Sequence, residues 1–227
     1  MIPWIRGSAP FPPVSKALRS PNGLLCAGGD LSAERIVEAY RHGIFPWYSE
    51  GEPILWWSPD PRMVLFPDEL KVSRSLRKAV AKGTYETRVD TAFRAVMEAC
   101  ASPRAGQSGT WIVPEMIDAY TRLHELGFAH SVESWHEGEL VGGLYGLALG
   151  EAFFGESMFS RATDASKVAL VRLVEWLKAS GCRVIDCQQA TGHLASLGAR
   201  EIPRSRFSQL LRESIQYPSK GERWSPG

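Results

Sequence analysis

The sequence predicts an α+β protein in which a mixed-sheet domain, residues 63–227, follows a small, loop-rich N-terminal α+β domain, residues 1–62. Residues 1–62 are rich in proline, glycine and tryptophan, whereas regular apolar periodicity begins at Met63. Three strand-like segments later follow one another across short turns, and a long apolar helix leads from the last of them to a further strand. These observations indicate an antiparallel meander joined to one parallel strand.

The N-terminal domain contains one clear helical pattern. Its apolar stripe begins after Ser32, a residue type that favours the N-cap position, and Gly43 is expected to end the helix. Prolines at positions 53, 59 and 61 predict irregular backbone beyond it. We therefore expect Trp56 and Trp57 to lie outside any regular element.

The first part of the larger domain alternates between strands and helices. Its predicted elements are a strand over 63–66, a short basic helix over 73–81, a strand over 84–89, a helix over 92–100, and a helix that Pro114 opens and Gly127 closes. A loop over 101–109 separates the last two helices. None of these elements forms an internal repeat.

The second part carries the meander. Its predicted elements are strands over 129–135, 140–149 and 151–160, a helix from 164 to 178, strands over 183–188 and 199–202, and a helix over 205–214. A strand, a helix and a strand at this spacing predict a right-handed parallel crossover. This layout resembles the N-acetyltransferase-like (GNAT-like) fold, in which the strands before and after the crossover helix splay apart.

Composition narrows the functional class. The formal net charge is +1, so any attraction for nucleic acid must be local. No apolar run has the length of a membrane span, and the N-terminus lacks the pattern of a secretory signal. The four cysteines show no paired zinc spacing and suit reduced thiols. We expect a cytoplasmic protein without a membrane anchor.

Two acids lie on the strands that flank the crossover helix. Glu156 interrupts an aromatic strand, and Asp186 lies near the end of an apolar one. A buried carboxylate needs a partner or a cavity, so these positions are candidates for a site. Gln188 shares the face of Asp186 on an extended strand. The alternatives are structural: Asp186 caps a turn or pairs with an arginine, and Glu156 pairs with Arg161 or Lys167.

A coenzyme A donor is disfavoured by the start of the crossover helix. Acetyltransferases of this fold hold the pyrophosphate on a glycine-rich loop at that point. Here the segment over 161–167 has no glycine, and Asp164 would repel a phosphate.

Tryptophans and basic residues suggest contact with a nucleic acid. Trp47, Trp56, Trp57 and Trp111 are either packing residues or a stacking wall for a base. The basic residues Lys71, Arg74, Arg77, Lys78 and Lys82 form either a solvated helix face or a track for a phosphate backbone. His193, in a loop, is expected to be structural.

Several segments together resemble the leucyl/phenylalanyl-tRNA–protein transferase family, from about residue 20 to 210. They occur in this order: Pro21–Leu25, Gly28–Ser32, Gly43–Trp47, Leu55–Arg62, Gly109–Ile112, Ala119–Ser131, Leu140–Gly146, Gly155–Ser160, Ile185–Gln188 and His193–Gly198. The resemblance implies an enzyme that moves Leu or Phe, and sometimes Met, from aminoacyl-tRNA to the α-amine of a protein beginning with Arg or Lys. The product is marked for N-terminal-residue-dependent proteolysis. No metal, prosthetic group or other cofactor is implied.

The resemblance also implies roles for individual residues. Asp186 and Gln188 are the catalytic pair, with Asp186 polarising Gln188 and Gln188 holding or activating the amine. Glu156 helps to hold the donor adenosine or the acceptor. The remaining implied substrate-binding residues are Trp47, Trp111, Leu144, Ser157, Met158, Phe159, Leu173 and Leu177, and the implied tRNA-docking residues are Arg74, Arg77, Lys78 and Lys82. Leu173 and Leu177 stand where aromatic residues are expected in the family, so the amino-acid pocket stays apolar but changes shape.

Two other functions stay open on the sequence alone. A small-molecule N-acyltransferase of the same fold would bind coenzyme A. A non-catalytic RNA-binding module would keep the basic and tryptophan surface but would have no use for Asp186 or Gln188.

Overall fold

The N-terminal residues form a sheet of their own. A computed structural model describes residues 2–102, 112–216, 221, 222 and 224. Strands β1 (Trp4–Ile5), β2 (Leu24–Gly28), β3 (Phe45–Pro46) and β4 (Leu55–Trp57) assemble in the order β1-β2-β4-β3. β1 runs parallel to β2, and β4 is antiparallel to both of its neighbours.

This sheet corrects the prediction of irregular backbone after the first helix. Trp56 and Trp57 lie on β4, where Leu24 and Phe45 of the neighbouring strands both pair with Trp57. The prolines flank the three residues of β4 rather than interrupt them, so the ladder loses no backbone donor. The Trp56 indole N–H donates to the Gly28 carbonyl at 2.8 Å, and Trp56 is fully buried.

The predicted N-terminal helix is confirmed as α1 (Ala33–Arg41). Ser32 is its N-cap residue, but the Ser32 hydroxyl donates to Asp30 at 2.6 Å instead of accepting a helix N–H. Gly43 has a φ of +72°, which suits glycine at the position where the chain turns away from the helix.

The larger sheet has seven strands in the order β11-β5-β10-β9-β8-β7-β6. Along the chain its elements are β5 (Arg62–Leu65), α2 (Arg74–Lys82), β6 (Glu86–Val89), α3 (Phe93–Ala101), α4 (Pro114–Glu125), β7 (Ala129–His136), β8 (Glu139–Leu149), β9 (Ala152–Ser160), α5 (Ala165–Ala179), β10 (Val184–Gln188), α6 (Gly192–Ser196), β11 (Arg200–Ile202) and α7 (Arg204–Ser214). The predicted α+β class, the meander and the crossover are confirmed. Helix α6 was expected to be loop; its five residues are too few for a periodic signal.

The crossover produces the splayed strands expected of the N-acetyltransferase-like layout. β9 and β10 pair in parallel from Ala152 with Val184 to Phe154 with Asp186. Beyond that point β9 continues along β8, whereas β10 follows β5. A gap therefore opens between β9 and β10 immediately after Asp186.

Buried side chains cover both faces of the large sheet. On β8 and β9, Leu144 and Phe153 belong to a cluster with α5, while Tyr145 and Phe154 belong to a cluster with α3 and α4. Neighbouring strand residues point to opposite faces, so α5 lies on one face and α3 and α4 lie on the other. The second cluster also contains residues of α1 and of the N-terminal sheet. The domain boundary at residue 62 stays a prediction.

No helix within residues 2–102, 112–216 and the described tail positions is both long enough and apolar enough to cross a bilayer.

Candidate active site

A cavity of about 1230 Å³ lies where β9 and β10 diverge. Its apolar wall comes from these two strands, from the neighbouring strands β5 and β8, and from helix α5. It includes Leu65, Leu144, Phe153, Met158, Leu170, Leu173 and Ile185. Its polar wall contains Glu156, Ser157 and Gln188. The loop after β3, with Trp47, Glu50 and Glu52, also lines it. The site thus joins an apolar pocket to a small set of polar groups, as ligand sites commonly do.

Asp186 forms a buried ion pair with Arg62. The Arg62 Nε and Nη2 groups donate to the two carboxylate oxygens at 2.7 and 2.6 Å, and the exposed fractions of the two side chains are 0% and 1%. Arg62 Nη1 also donates to the Gly43 carbonyl at 3.0 Å. The rings of Phe45 and Phe207 lie 4.9 and 4.7 Å from the guanidinium. Both structural alternatives for Asp186 are observed: it pairs with an arginine, and it accepts a backbone N–H of the turn that follows.

The same carboxylate fixes the backbone of Gln188. The Gln188 N–H donates to Asp186 Oδ1 at 2.9 Å. The φ of Gln188 is +61°, a conformation that costs a non-glycine residue free energy, and the β10–β5 register shifts at this point. Cys187 has no opposite residue on β5 at this shift, whereas Gln188 pairs with Met63 and lines the cavity.

The side-chain amide of Gln188 does not reach Asp186. Its Nε2 group donates to Glu156 Oε1 at 2.8 Å. Asp186 was expected to polarise this amide directly; the observed link between the two residues runs through the Gln188 backbone instead. The amide is oriented by Glu156, across the gap.

Glu156 reaches the gap because β9 has an extra residue there. Tyr145 pairs with Ser157 and Gly146 pairs with Gly155, so Glu156 has no opposite residue on β8. Such a bulge re-aims the side chain it contains. The structural alternative for Glu156, a pairing with Arg161 or Lys167, is not observed: Lys167 pairs with Asp164 at 2.8 Å, and Arg161 donates to the Leu140 carbonyl.

Tyrosines from two helices hold the Glu156 carboxyl. The Tyr40 hydroxyl of α1 donates to Glu156 Oε1 at 2.8 Å, and it lies 2.6 Å from the Tyr120 hydroxyl of α4. Burial raises the pKa of the Glu156 carboxyl to about 8, while the hydrogen bond from Tyr40 opposes the rise. Glu156 is half-buried and lines the cavity. This carboxyl therefore exchanges its proton near pH 8.

The structure places most of the predicted substrate-binding residues on the cavity. Trp47, Leu144, Ser157, Met158 and Leu173 line it. Trp47 packs on Trp57, with ring centroids 5.4 Å apart. Trp111 lies outside the described residues.

Two of the predicted pocket residues do not line the cavity. Phe159 belongs to the buried cluster on the opposite sheet face, because strand alternation turns it away from Met158. Leu177 lies one turn after Leu173 on α5. It belongs to the buried cluster between α5 and the sheet and does not line the cavity. Leu177 is therefore a core residue and not part of the pocket wall.

Sequence reasoning missed three polar residues of the site. Arg62 ends the tryptophan-rich motif and begins an apolar strand, which is the same kind of signal that drew attention to Asp186. Tyr40 and Tyr120 lie on apolar helix faces and look like ordinary core residues. No local pattern marks them, because their hydroxyls meet Glu156 through tertiary packing.

The basic residues of α2 lie on the surface. Arg74, Arg77, Lys78 and Lys82 are all exposed, and none of them forms an ion pair with an acidic residue in the described parts of the chain. Leu76 on the opposite side of α2 packs on α5. The predicted docking surface is thus a cationic helix face attached to the crossover helix.

A second polar cluster lies away from the cavity. His130 Nδ1 lies 2.8 Å from Asp90 Oδ2, and Asp90 Oδ1 accepts the Ser131 N–H at 2.9 Å. His124 Nδ1 donates to the Ala129 carbonyl at 2.9 Å. These hydrogen bonds tie the end of β6 to β7 and α4.

Solved structures with a similar fold are only distantly related. L-PGS from Bacillus licheniformis is 15% identical, with a TM-score of 0.41 over 74% of this chain and 55% of that chain. A GCN5-related N-acetyltransferase from Kribbella flavida is 12% identical, with a TM-score of 0.38 over 73% of this chain and 59% of that chain. The fold assignment rests on the strand order and connections described above.

Sequence comparison is far more specific. The model of the family described as leucyl/phenylalanyl-tRNA protein transferase matches residues 64–212, and the model of its N-terminal domain matches residues 29–60. Proteins named leucyl/phenylalanyl-tRNA–protein transferase from Nitrosospira multiformis and Chromobacterium violaceum are 63% and 62% identical over 99% of this chain and 97% and 96% of their own lengths. One from Stutzerimonas stutzeri is 61% identical over 98% of this chain and 99% of its own length. The chain belongs to the leucyl/phenylalanyl-tRNA–protein transferase family.

Proposed function

We propose that this aminoacyltransferase moves leucine or phenylalanine, and also methionine, from aminoacyl-tRNA to the α-amine of proteins that begin with arginine or lysine. The modified protein then carries an N-terminal residue that directs it to proteolysis. Its donor is made and used in the cytoplasm, and the described cysteines are free thiols, so we propose that the enzyme acts in that compartment.

The observation that carries this proposal is the cavity between β9 and β10. Its apolar wall suits a large hydrophobic side chain such as that of leucine or phenylalanine, and Gln188 lies on its polar wall, where we propose that the ester binds. Gln188 is the residue proposed to hold the acceptor amine. Asp186 is enclosed by Arg62, so we assign it a positioning role through the Gln188 backbone. Orientation of this kind can supply several kcal/mol of the rate enhancement.

The charges around the cavity favour a cationic acceptor. Among the described residues that line it, the acidic side chains are Glu50, Glu52 and Glu156, and neither lysine nor arginine is present. An acceptor with an α-ammonium group and a basic first side chain is attracted to such a surface.

A transfer assay tests the proposed function. Purified protein is incubated with charged tRNA and with peptides that differ in their first residue. Leucine and phenylalanine should appear on peptides that begin with arginine or lysine, and N-acetylated or Glu-initiated peptides should stay unmodified. Failure of every aminoacyl-tRNA donor, together with a thermal shift on addition of coenzyme A, would contradict the proposal.

Charge reversal on α2 should weaken tRNA binding. Arg74→Glu with Arg77→Glu should reduce the slope of log K against log[salt] by about 2, because each lost phosphate contact removes about one released counterion. Binding measured between low and physiological salt gives the slope. Arg122→Glu, on exposed α4 at the opposite sheet face, is the control. An unchanged slope in the double variant would reject α2 as the docking surface.

Truncation of the pocket wall should change donor preference. Leu173→Ala enlarges the cavity and should shift the ratio of kcat/KM for Phe-tRNA and Leu-tRNA by about 10- to 200-fold. Leu177→Ala is the matched control, since Leu177 is buried on the same helix but does not line the cavity. Both variants should lose about 2–5 kcal/mol of stability. Equal donor ratios in the two variants would contradict the assignment of Leu173 to the pocket.

A further inference from the structure

We propose that Glu156 is the acid–base group of the transfer reaction: its carboxylate takes the proton that the acceptor amine loses and returns it to the leaving ribose oxygen. The inference rests on the proposed function and assigns to Glu156 a chemical role that goes beyond holding a substrate.

Access to the reacting atoms separates the two acids of the site. Asp186 is 1% exposed and does not line the cavity, and both of its oxygens are bound by Arg62. To take a proton, Asp186 would have to give up part of a buried bidentate ion pair, which is strongly unfavourable. Glu156 lines the cavity and has no ion-pair partner among the described residues. Of the two acids, Glu156 is the one that can meet an amine.

The contact with Gln188 places Glu156 beside the position proposed for the acceptor amine, which is the nucleophile. Gln188 Nε2 is committed to Glu156 Oε1 at 2.8 Å, so the amide presents its carbonyl oxygen to an incoming amine. An amine that donates one N–H to Gln188 then lies next to the Glu156 carboxylate. A general base has to lie within hydrogen-bond reach of the proton that it removes, and this arrangement meets that condition.

The surroundings of Glu156 match its proton affinity to that of an amine. Burial is the main cause that raises its pKa to about 8, and the negative charge of Asp186 raises it further. The hydrogen bonds from Tyr40 and Gln188 and the charge of Arg62 lower it. The attacking nitrogen becomes an ammonium group when it bonds to the ester carbon, and an unperturbed α-ammonium group has a pKa of about 7.7–8.0. Its proton can therefore pass to Glu156 without a large free-energy cost.

The tyrosines around Glu156 stay protonated. Burial, with the nearby Glu156 charge as the next cause, raises the pKa values of Tyr40, Tyr120 and Tyr145 well above the usual value for tyrosine. They remain uncharged while Glu156 titrates and do not compete with it for the proton.

The proposed step is balanced in atoms and electrons. The nitrogen lone pair attacks the ester carbonyl carbon, a C–N bond forms, and the carbonyl π electrons move to oxygen. One N–H proton passes to the Glu156 carboxylate. As the carbonyl re-forms, the C–O bond to the ribose breaks, and the protonated Glu156 gives its proton to the ribose oxygen. An amide and a ribose hydroxyl result, and Glu156 is again a carboxylate.

The ionisation of Glu156 can be isolated with an uncharged nucleophile. An Arg-initiated peptide with an aminooxy group in place of its α-amine stays neutral across the pH range of the assay. With this acceptor, kcat/KM of the wild type should rise with pH and reach half its maximum near pH 8. The Glu156→Gln variant should be about 10²- to 10⁴-fold slower at the plateau, and its profile should be flat.

A second variant moves the ionisation without removing it. Tyr40→Phe deletes a hydrogen bond that lowers the pKa of Glu156, so the half-maximal pH should rise. A role of Glu156 in packing alone would not move this midpoint.

Stability provides a readout that does not depend on activity. The folded protein keeps the Glu156 proton up to about pH 8, whereas the unfolded chain loses it near 4.5, so the folded state becomes less stable as pH rises across this window. Glu156→Gln should remove that part of the pH dependence in denaturant unfolding.

The outcomes distinguish the inference from the function on which it rests. If the wild type transfers no amino acid to any Arg-initiated peptide, the proposed function fails and the inference fails with it. If the wild type is active and Glu156→Gln keeps the same rate or the same ionisation near pH 8, the inference alone is overturned. The same holds if the Tyr40→Phe midpoint does not move.

Discussion

Replacement of Arg62 by alanine should lower the free energy of unfolding by about 3–5 kcal/mol and reduce transfer to background. The substitution leaves the Asp186 carboxylate buried without its partner, and it removes the bond to the Gly43 carbonyl that ties α1 to the large sheet. Denaturant unfolding and single-turnover transfer, measured on the same preparation, give the two quantities.

A double variant separates stability from function. Arg62→Met with Asp186→Leu removes both charges and should recover most of the lost stability, because apolar residues can replace a buried ion pair without a large loss. Transfer should stay at least about 100-fold below the wild type, since the Gln188 N–H has lost its acceptor and the side chain is no longer held in place. Recovery of activity together with stability would show that the ion pair only supports the fold.

Gln188→Ala should reduce kcat by about 10²- to 10³-fold with little change in the unfolding midpoint. The estimate is the usual cost of removing one positioned polar group from a reaction centre. Gln188 is only partly buried, and its positive φ is an energetic cost that alanine does not relieve, so no gain in stability is expected. Single-turnover transfer with saturating aminoacyl-tRNA measures the chemical step.

Gln209→Ala, an exposed residue of α7, is the matched control. It makes the same chemical change away from the cavity and should leave the rate within a factor of about 2 of the wild type, as surface substitutions usually do. A Gln188→Ala variant as active as this control would remove Gln188 from the reaction centre.

The fold was predictable where a local pattern determines the structure. The strands of the meander and helix α5 are long periodic segments with turn residues at their ends, and their boundaries agree with the prediction within a few residues. The N-terminal sheet was not predicted, because its strands contain only two to five residues and lie among prolines. Helix α6 was not predicted because it is also short.

The two acidic residues of the site could be predicted from the sequence, but their hydrogen-bond partners could not. Glu156 and Asp186 were visible because each carboxylate interrupts an apolar strand. Their partners lie far away along the chain: Arg62 is 124 residues from Asp186, and Tyr40 is 116 residues from Glu156. The first contact depends on the pairing of β5 with β10 in the large sheet, and the second depends on how α1 packs on that sheet. For that reason the bidentate ion pair and the tyrosine pair become visible only in the structure.

The most direct test of the account is the structure of the enzyme with a 3′-phenylalanyl-adenosine analogue in which an amide replaces the reactive ester. The account predicts that the phenyl ring lies between Leu144, Phe153 and Leu173, and that the amide carbonyl carbon faces Gln188 and Glu156 across the gap between β9 and β10. An analogue bound elsewhere on the protein, or bound in the cavity with its carbonyl directed away from both residues, would contradict it.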